Sequence, residues 1–343
     1  MERRAAITEE NVVIRAGDCS VTILPRLGGK IASIRIGELE LLQSPLAPYG
    51  PRTRTMSFDA GDASGWDECL PSVAGCTVRL ADGSDKEIPD HGDLWRVEWR
   101  SRDQGTGITE QGLGTRDEGL GIADGAGGAV TLRGECFSLP LTLERTVRVM
   151  QTALGWELRL DYSVKNTGSF IVPWSWAAHP LFVAEAGDRI VLRGSIERLR
   201  LEGSGGERLG WNGDSVSWPV AVLADGNDCD LSIAQGIESG IGDKLFAGPL
   251  SSAENWCALE RPRAGVRIKV GFDASAMPYL GLWICYGGWP ERPGPKQMCV
   301  AMEPATAPVD SLAETGPWSR VLEPGESYQW RMTVAIESIM SVS

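Results

Sequence analysis

Two histidines are the only imidazoles in a chain of 343 residues. Both lie in short phrases of acids, turn formers and aromatics: Pro89-Asp90-His91-Gly92-Asp93-Leu94-Trp95 and Trp176-Ala177-Ala178-His179-Pro180-Leu181-Phe182. Imidazole titrates nearer neutrality than any other side chain, so proton transfer by histidine has only these two carriers. Two further phrases supply carboxylates in similar company, Gly65-Trp66-Asp67-Glu68-Cys69-Leu70-Pro71 and Ala301-Met302-Glu303-Pro304-Ala305-Thr306. Glu303 follows the apolar run Met298 to Met302 and precedes a proline, which predicts a carboxylate at a strand end. Each histidine neighbours a Gly or Pro and a large aromatic, which suits a loop end at the rim of a sheet. The plain alternatives are a histidine bridging backbone groups and a solvated edge carboxylate. Neither histidine has a second ligand in a recognised zinc spacing, while Asp90 and Asp93 leave a metal site with distant ligands open.

The elements that must position these residues read as strands. From Trp156 to Lys165 every even position is apolar and every odd one polar, ending in the turn Asn166-Thr167-Gly168. The same period recurs at 266–272 and 328–336. Half-wet strands of this kind belong to antiparallel sheets. Further strands are expected at 20–25, 30–36, 75–80, 95–100, 129–134, 141–149, 189–193, 229–234, 256–260, 280–286 and 298–302. Short helical stretches are expected near Gly242 to Phe246 and after Asp310. With 42 Gly and 20 Pro between the strands, the expected fold is all-β, a large antiparallel β-sandwich spanning 1–343 as a single domain. The segment from Gly105 to Gly128 reads as a long loop within it, and Gly203 to Gly206 as a loop tip. No G-x-G-x-x-G or P-loop pattern supports nucleotide binding.

Composition narrows the partners. A formal net charge of -13, with no long basic run, argues against nucleic acid and anionic membranes and favours a neutral small molecule. The eight cysteines form no C-x-x-C pair and read as reduced thiols of a cytoplasmic protein. Charges throughout Met1 to Gly17 leave no signal-peptide core, and no apolar stretch reaches membrane-spanning length. Thirteen tryptophans are mostly expected to fill the core, but Trp174, Trp176, Trp283 and Trp289 flank the polar phrases, where an indole face can cover the apolar face of a sugar ring. Flat sandwich edges permit a homodimer.

An ordered series runs along nearly the whole chain: Gly28-Gly29-Lys30-Ile31, Gly37-Glu38-Leu39-Glu40-Leu41-Leu42, His91-Gly92, His179-Pro180-Leu181-Phe182 with Gly187-Asp188-Arg189-Ile190, Asp243-Lys244-Leu245-Phe246, and Met302-Glu303-Pro304 with Asp310-Ser311-Leu312. In order and spacing it resembles the aldose 1-epimerase (galactose mutarotase-like) superfamily. The resemblance implies a β-supersandwich with a sugar site on its concave face and no metal or cofactor. It implies Glu303 as general base at the anomeric hydroxyl, His179 as general acid at the ring oxygen, His91 as a hydrogen-bonding partner there, and Asp243 as a ligand of sugar hydroxyls. The Arg-containing phrase of galactose mutarotases is missing. Arg52, Arg54, Asp67 and Glu68 take its place, so Arg54, Asp67 and Glu68 join Lys244, Trp176 and Trp289 as expected sugar-binding residues. His179 also lacks the continuation found in galactose mutarotases, which puts galactose itself in question. Two alternatives remain: a hexose-6-phosphate epimerase, with Arg52, Arg54 and Lys244 cradling phosphate, and a non-catalytic carbohydrate-binding module.

Overall fold

Alternation of apolar and polar side chains builds two antiparallel sheets that close on one another. The computed structural model describes residues 11–101 and 128–339. Among these, one sheet has eleven strands and the other eight, with three small two-stranded ribbons at the periphery. The eight-stranded sheet is centred on Leu141–Thr152, Gly155–Asn166 and Ser327–Ser338, whose inward residues Leu143, Val147, Leu158, Leu160, Val164, Met332 and Val334 are buried. They join Val21, Ile31, Leu245, Leu282 and Met302 of the larger sheet in one apolar core. No helix among the described residues is long and apolar enough to cross a membrane. The Gly-rich segment lies outside the described residues, apart from Gly128.

Most of the expected strands are present, and the departures have identifiable causes. Residues 242–246 are strand rather than helix, because Ile241–Ala247 is paired on both sides, by Arg198–Ser204 and by Tyr279–Tyr286. The expected strand at 95–100 is instead a 3-10 turn, Leu94–Arg96, followed by the short strand Arg100–Ser101. The Arg96 guanidinium folds that segment back by donating to the carbonyls of Met56, Asp90 and Gly92. Only Asp228–Asp230 is extended within 229–234 and its flank.

His179 and Glu303 are not at loop or strand ends. They sit inside the adjacent strands Ala177–Val183 and Met298–Ala305, near the middle of the larger sheet. The ladder between those strands pairs Ala177 with Ala305, skips three positions, and resumes at Leu181 with Ala301. Pro180 and Pro304 lie in the skipped stretch and have no N–H to give. The two prolines thus open the ladder where the imidazole and the carboxylate stand.

The sheets are tied by a buried ion pair. Glu68, on the strand Trp66–Cys69, accepts from Arg145 Nη1 at 2.8 Å, Tyr162 Oη at 3.0 Å and Trp176 Nε1 at 3.0 Å. Arg145 and Tyr162 are cross-strand neighbours in the opposite sheet, and Arg145 also donates to the Gly29 carbonyl. Burial pushes the Glu68 carboxyl up, against the lowering effect of Arg145 and the other donors. Removing one partner leaves an unpaired charge in the core. Glu68→Gln or Arg145→Met is therefore expected to lower unfolding stability by about 3–5 kcal/mol. The double change Glu68→Gln with Arg145→Met should cost less than the two single losses added together. Urea midpoints of the three variants check this, and additive losses would show that the pair is not coupled.

Candidate active site

The period of two decides which polar residues face outward from the larger sheet. His179 lies across from Asp67, and Glu303 across from Gly281, with Trp283 across from Lys244 one strand further on. This places Asp67, His179, Glu303 and Lys244 on the face turned away from the sandwich core. Lys244 Nζ donates to Glu303 Oε2 and lies 3.5 Å from Asp310 Oδ1. Glu303 Oε1 has no hydrogen-bond partner among the described residues and stands 3.9 Å from His179 Nε2. Gly281 makes room for the carboxylate, since a Cβ there would lie 3.2 Å from both Glu303 Cβ and Oε2.

His91 comes from a loop packed on the end of the strand Trp66–Cys69, where Gly92 bridges to Leu70. Its backbone is left-handed, with φ 58°, and Gly92 follows at φ 67° so close to the Leu70 backbone that a Cβ would meet the Leu70 oxygen at 2.3 Å. The Asp93 amide donates to the Leu70 carbonyl at 2.8 Å, and the Asp93 carboxylate accepts from the amides of Phe137 and Ser138 and from the Ser138 hydroxyl. Arg96 ties the same loop to Met56. The His91 ring stacks on Phe58 at 3.7 Å and meets His179 edge-on at 5.1 Å between ring centres. A non-glycine residue held in this conformation beside a cleft is strain tolerated for position.

Beside the histidines lies a buried quartet of charges. Lys30 is fully buried and pairs with Asp67 Oδ2 at 2.5 Å and Asp62 Oδ1 at 3.0 Å, while also donating to the Ser64 carbonyl. Arg52 pairs with Asp62 and donates to the Trp95 carbonyl at 2.7 Å. Burial alone would raise the Asp62 carboxyl, but Lys30 and Arg52 outweigh it and hold it below its ordinary value.

These residues border a cleft of about 470 Å³, lined by Phe58, His91, His179, Lys244, Trp283, Trp289 and Asp310 among others. Of the residues expected from sequence, His91, His179, Lys244 and Trp289 line it, and Glu303 lies at its floor behind Lys244 and His179. Asp67 is beneath it, bound to Lys30. Four expectations fail on geometry. Glu68 and Trp176 point into the core, one residue out of phase with the cleft face. Asp243 is likewise on the reverse face from Lys244, its carboxylate taken by Arg208 and the Ser204 hydroxyl. Arg54 stacks over Phe137, 4.9 Å from the ring centre, outside the cleft. Trp174 is also interior, packed with Trp330. Phe58, Asp310, Gln297 and Arg96 were not singled out as site residues. Only Asp310 had a sequence signal, as the first residue of the Asp310-Ser311-Leu312 phrase after the Glu303 strand.

Charge is uneven around the cleft. Asp59, Asp90, Glu291 and Asp310 line it against Lys244 and Arg292. Burial, then the nearby His91, Lys244 and Lys30, hold the His179 imidazole well below its ordinary value. Burial raises the Glu303 carboxyl, with Lys244 working against the rise and Asp310 adding to it. Among the described residues no group of three or more His, Cys, Asp or Glu side chains is placed to hold a metal ion.

No protein-family model matches this chain, and no curated protein matches it in sequence. Solved structures do match its fold. The Slr1438 protein from Synechocystis is 16% identical with a TM-score of 0.64, covering 98% of this chain and all of that one. A galactose mutarotase-like protein from Lactobacillus casei is 18% identical with a TM-score of 0.61, over 95% of this chain and all of that one. An aldose epimerase homologue from Caenorhabditis elegans is 11% identical with a TM-score of 0.59, over 97% of this chain and all of that one. The fold is thus that of the galactose mutarotase-like proteins, an all-β antiparallel sandwich.

The environment of His179 makes a direct prediction. Its folded value lies below its unfolded one, so the unfolded chain binds the extra proton first as pH falls. Its contribution to stability is complete above the ordinary imidazole value of 6.5 and is lost as pH drops from there toward the folded value. In a histidine NMR titration the His179 ring should stay neutral at 6.5 and above. A ring already half-protonated at 6.5 would contradict this picture of its surroundings.

Proposed function

We propose that the protein is an aldose 1-epimerase, interconverting the α and β anomers of an unphosphorylated sugar in this cleft. The observation that carries the reading is the pairing of Glu303 Oε1, unpartnered and buried, with His179 Nε2 at 3.9 Å on one face of the sheet. The fold similarity to mutarotase-like proteins supports it. So does the pair of indoles at Trp283 and Trp289, which offers apolar faces to a sugar ring.

Mutarotation moves one proton off O1 and another onto O5, breaking the C1–O5 bond. After rotation about C1–C2 the open aldehyde closes on its other face and both protons return. One group must start without a proton and its partner with one. In the family pattern Glu303 takes the proton from O1 and His179 gives one to O5, with His91 beside His179 to hold the ring-oxygen region. Because the two groups interact, the competent state is the pair carrying a single proton, and its limits belong to the pair. Because His179 is held below its ordinary value of 6.5, the state with His179 protonated and Glu303 ionised forms on the acid side of neutrality. Activity should therefore peak below pH 6.5, falling at still lower pH where both are protonated and at higher pH where neither is.

A phosphorylated sugar finds less support. Arg52 is consumed by Asp62 and the Trp95 carbonyl, Arg54 lies elsewhere, and Lys244 is held between two carboxylates. The three cations do not converge on one anion.

The test is saturation-transfer NMR exchange between anomeric protons across a panel of neutral aldoses and hexose 6-phosphates. Glu303→Gln should reduce exchange by about 100-fold or more while leaving sugar binding in place. Wild-type exchange that the variant matches would remove Glu303 from the mechanism. Binding without exchange by the wild type would favour a carbohydrate-binding module.

A further inference from the structure

The geometry points to Lys244 as a positioning residue that keeps Glu303 ionised at the floor of the cleft, with Asp310 setting how strongly it does so. This rests on reading Glu303 and His179 as the proton-transfer pair, and it gives Lys244 a role other than holding substrate. Glu303 is fully buried, and among the described residues Lys244 is the one hydrogen-bond partner of its carboxylate. The ammonium faces a second carboxylate, Asp310, at 3.5 Å, and its position is fixed from two sides. Beneath it the Phe246 ring centre is 5.2 Å from Nζ. Above it Asp310 is locked in place, its backbone carbonyl accepting from the amides of Val73 and Ala74 and its amide donating to Glu202. Asp310 Oδ1 has no hydrogen bond of its own.

The charged and titratable groups around Glu303 come from every neighbouring element. They are Lys244 two strands away on one side, His179 on the adjacent strand on the other and Cys69 beyond it, Asp310 from the segment after its own strand, His91 from its loop, and Cys299 on its own strand. The strand between Glu303 and Lys244 contributes only Gly281 at the facing position. Lys244 is therefore the cation in contact with Glu303. A buried carboxylate with no such partner protonates, because desolvation penalises its charged form. Glu303 would then be unable to accept the O1 proton. Asp310 shares the ammonium and repels the Glu303 charge, so it opposes Lys244.

The arrangement predicts opposite shifts from two substitutions. Lys244→Met keeps the stem over Phe246 but removes the charge. The Glu303 carboxyl should then titrate about one to three pH units higher, and the acid limb of the anomer-exchange profile should rise with it. Asp310→Asn should move both to lower pH. Lys244→Arg should restore the wild-type position. The titration is read directly by carbonyl-labelled glutamate NMR, with the Glu303 signal identified by its loss in Glu303→Gln. A merely structural ion pair would shift the Glu303 titration too, but would leave the acid limb of the anomer-exchange profile where it was. An unchanged Glu303 titration in Lys244→Met overturns the inference whether or not any sugar is turned over. If that variant does not fold, an Asp310→Asn titration that fails to fall overturns it instead. The expected shifts without turnover of any sugar by wild type would uphold the role of Lys244 and sink the epimerase reading.

Discussion

A charge taken out of water must meet an opposite charge, and the larger sheet obeys this at its buried carboxylates, three of which meet a cation from another strand. Glu68 meets Arg145, Asp67 meets Lys30, and Glu303 meets Lys244. In each case the cation arrives from a different strand. The requirement therefore fixes relative strand positions as well as local electrostatics. Glu68 and Arg145 clamp one sheet to the other, Asp67 and Lys30 clamp two neighbouring strands of the same sheet, and Glu303 and Lys244 reach over the strand Tyr279–Tyr286, where Gly281 leaves the space. The reactive geometry is a by-product of satisfying buried charge.

The period of a strand then divides those charges between two jobs. Asp67 and Glu68 are consecutive, as are Asp243 and Lys244, and in each pair one member faces the cleft side while the other faces the core. This is why the expected site residues separate as they do. The phrases were legible in sequence, and so were the histidines, Glu303 and the strand periods of 156–165, 266–272 and 328–336. The phase was not. Without knowing which neighbour each strand pairs with, an acidic dipeptide does not reveal which acid points outward. Strand 241–247 was legible as a motif but not as a strand, since its mixed Gly-Asp-Lys sequence carries no clean alternation and its conformation is imposed by its two partners.

The prolines beside His179 and Glu303 were visible too, and they read as terminators. In the sheet they do something else. Each removes a donor from the ladder while its strand continues on the far side, where Ala177–Val183 pairs with Trp66–Cys69 and Met298–Ala305 pairs with Tyr279–Tyr286. A local rule about proline was overridden by pairing on the opposite edge, and the consequence is a gap in the hydrogen bonding where the two side chains meet. Phe58 and Arg96 were unreadable for a different reason. Their roles, stacking under His91 and tying its loop to Met56, are contacts between segments far apart in sequence with no local signature.

The same electrostatics bears on what the cleft will accept. Its lining carries more carboxylates than cations. Lys244 is spent on Glu303 and Asp310, and Arg292 donates to the Asp59 carbonyl. An anionic ligand entering here must approach Asp59, Asp90 and Glu291 with the Arg292 guanidinium to set against them, and low-dielectric walls strengthen the net repulsion. A neutral ring pays no such cost and gains from the indole faces of Trp283 and Trp289. The proposed preference for an uncharged sugar rests on the same constraint: Lys244, the cation beside the histidines, is already held between the carboxylates of Glu303 and Asp310.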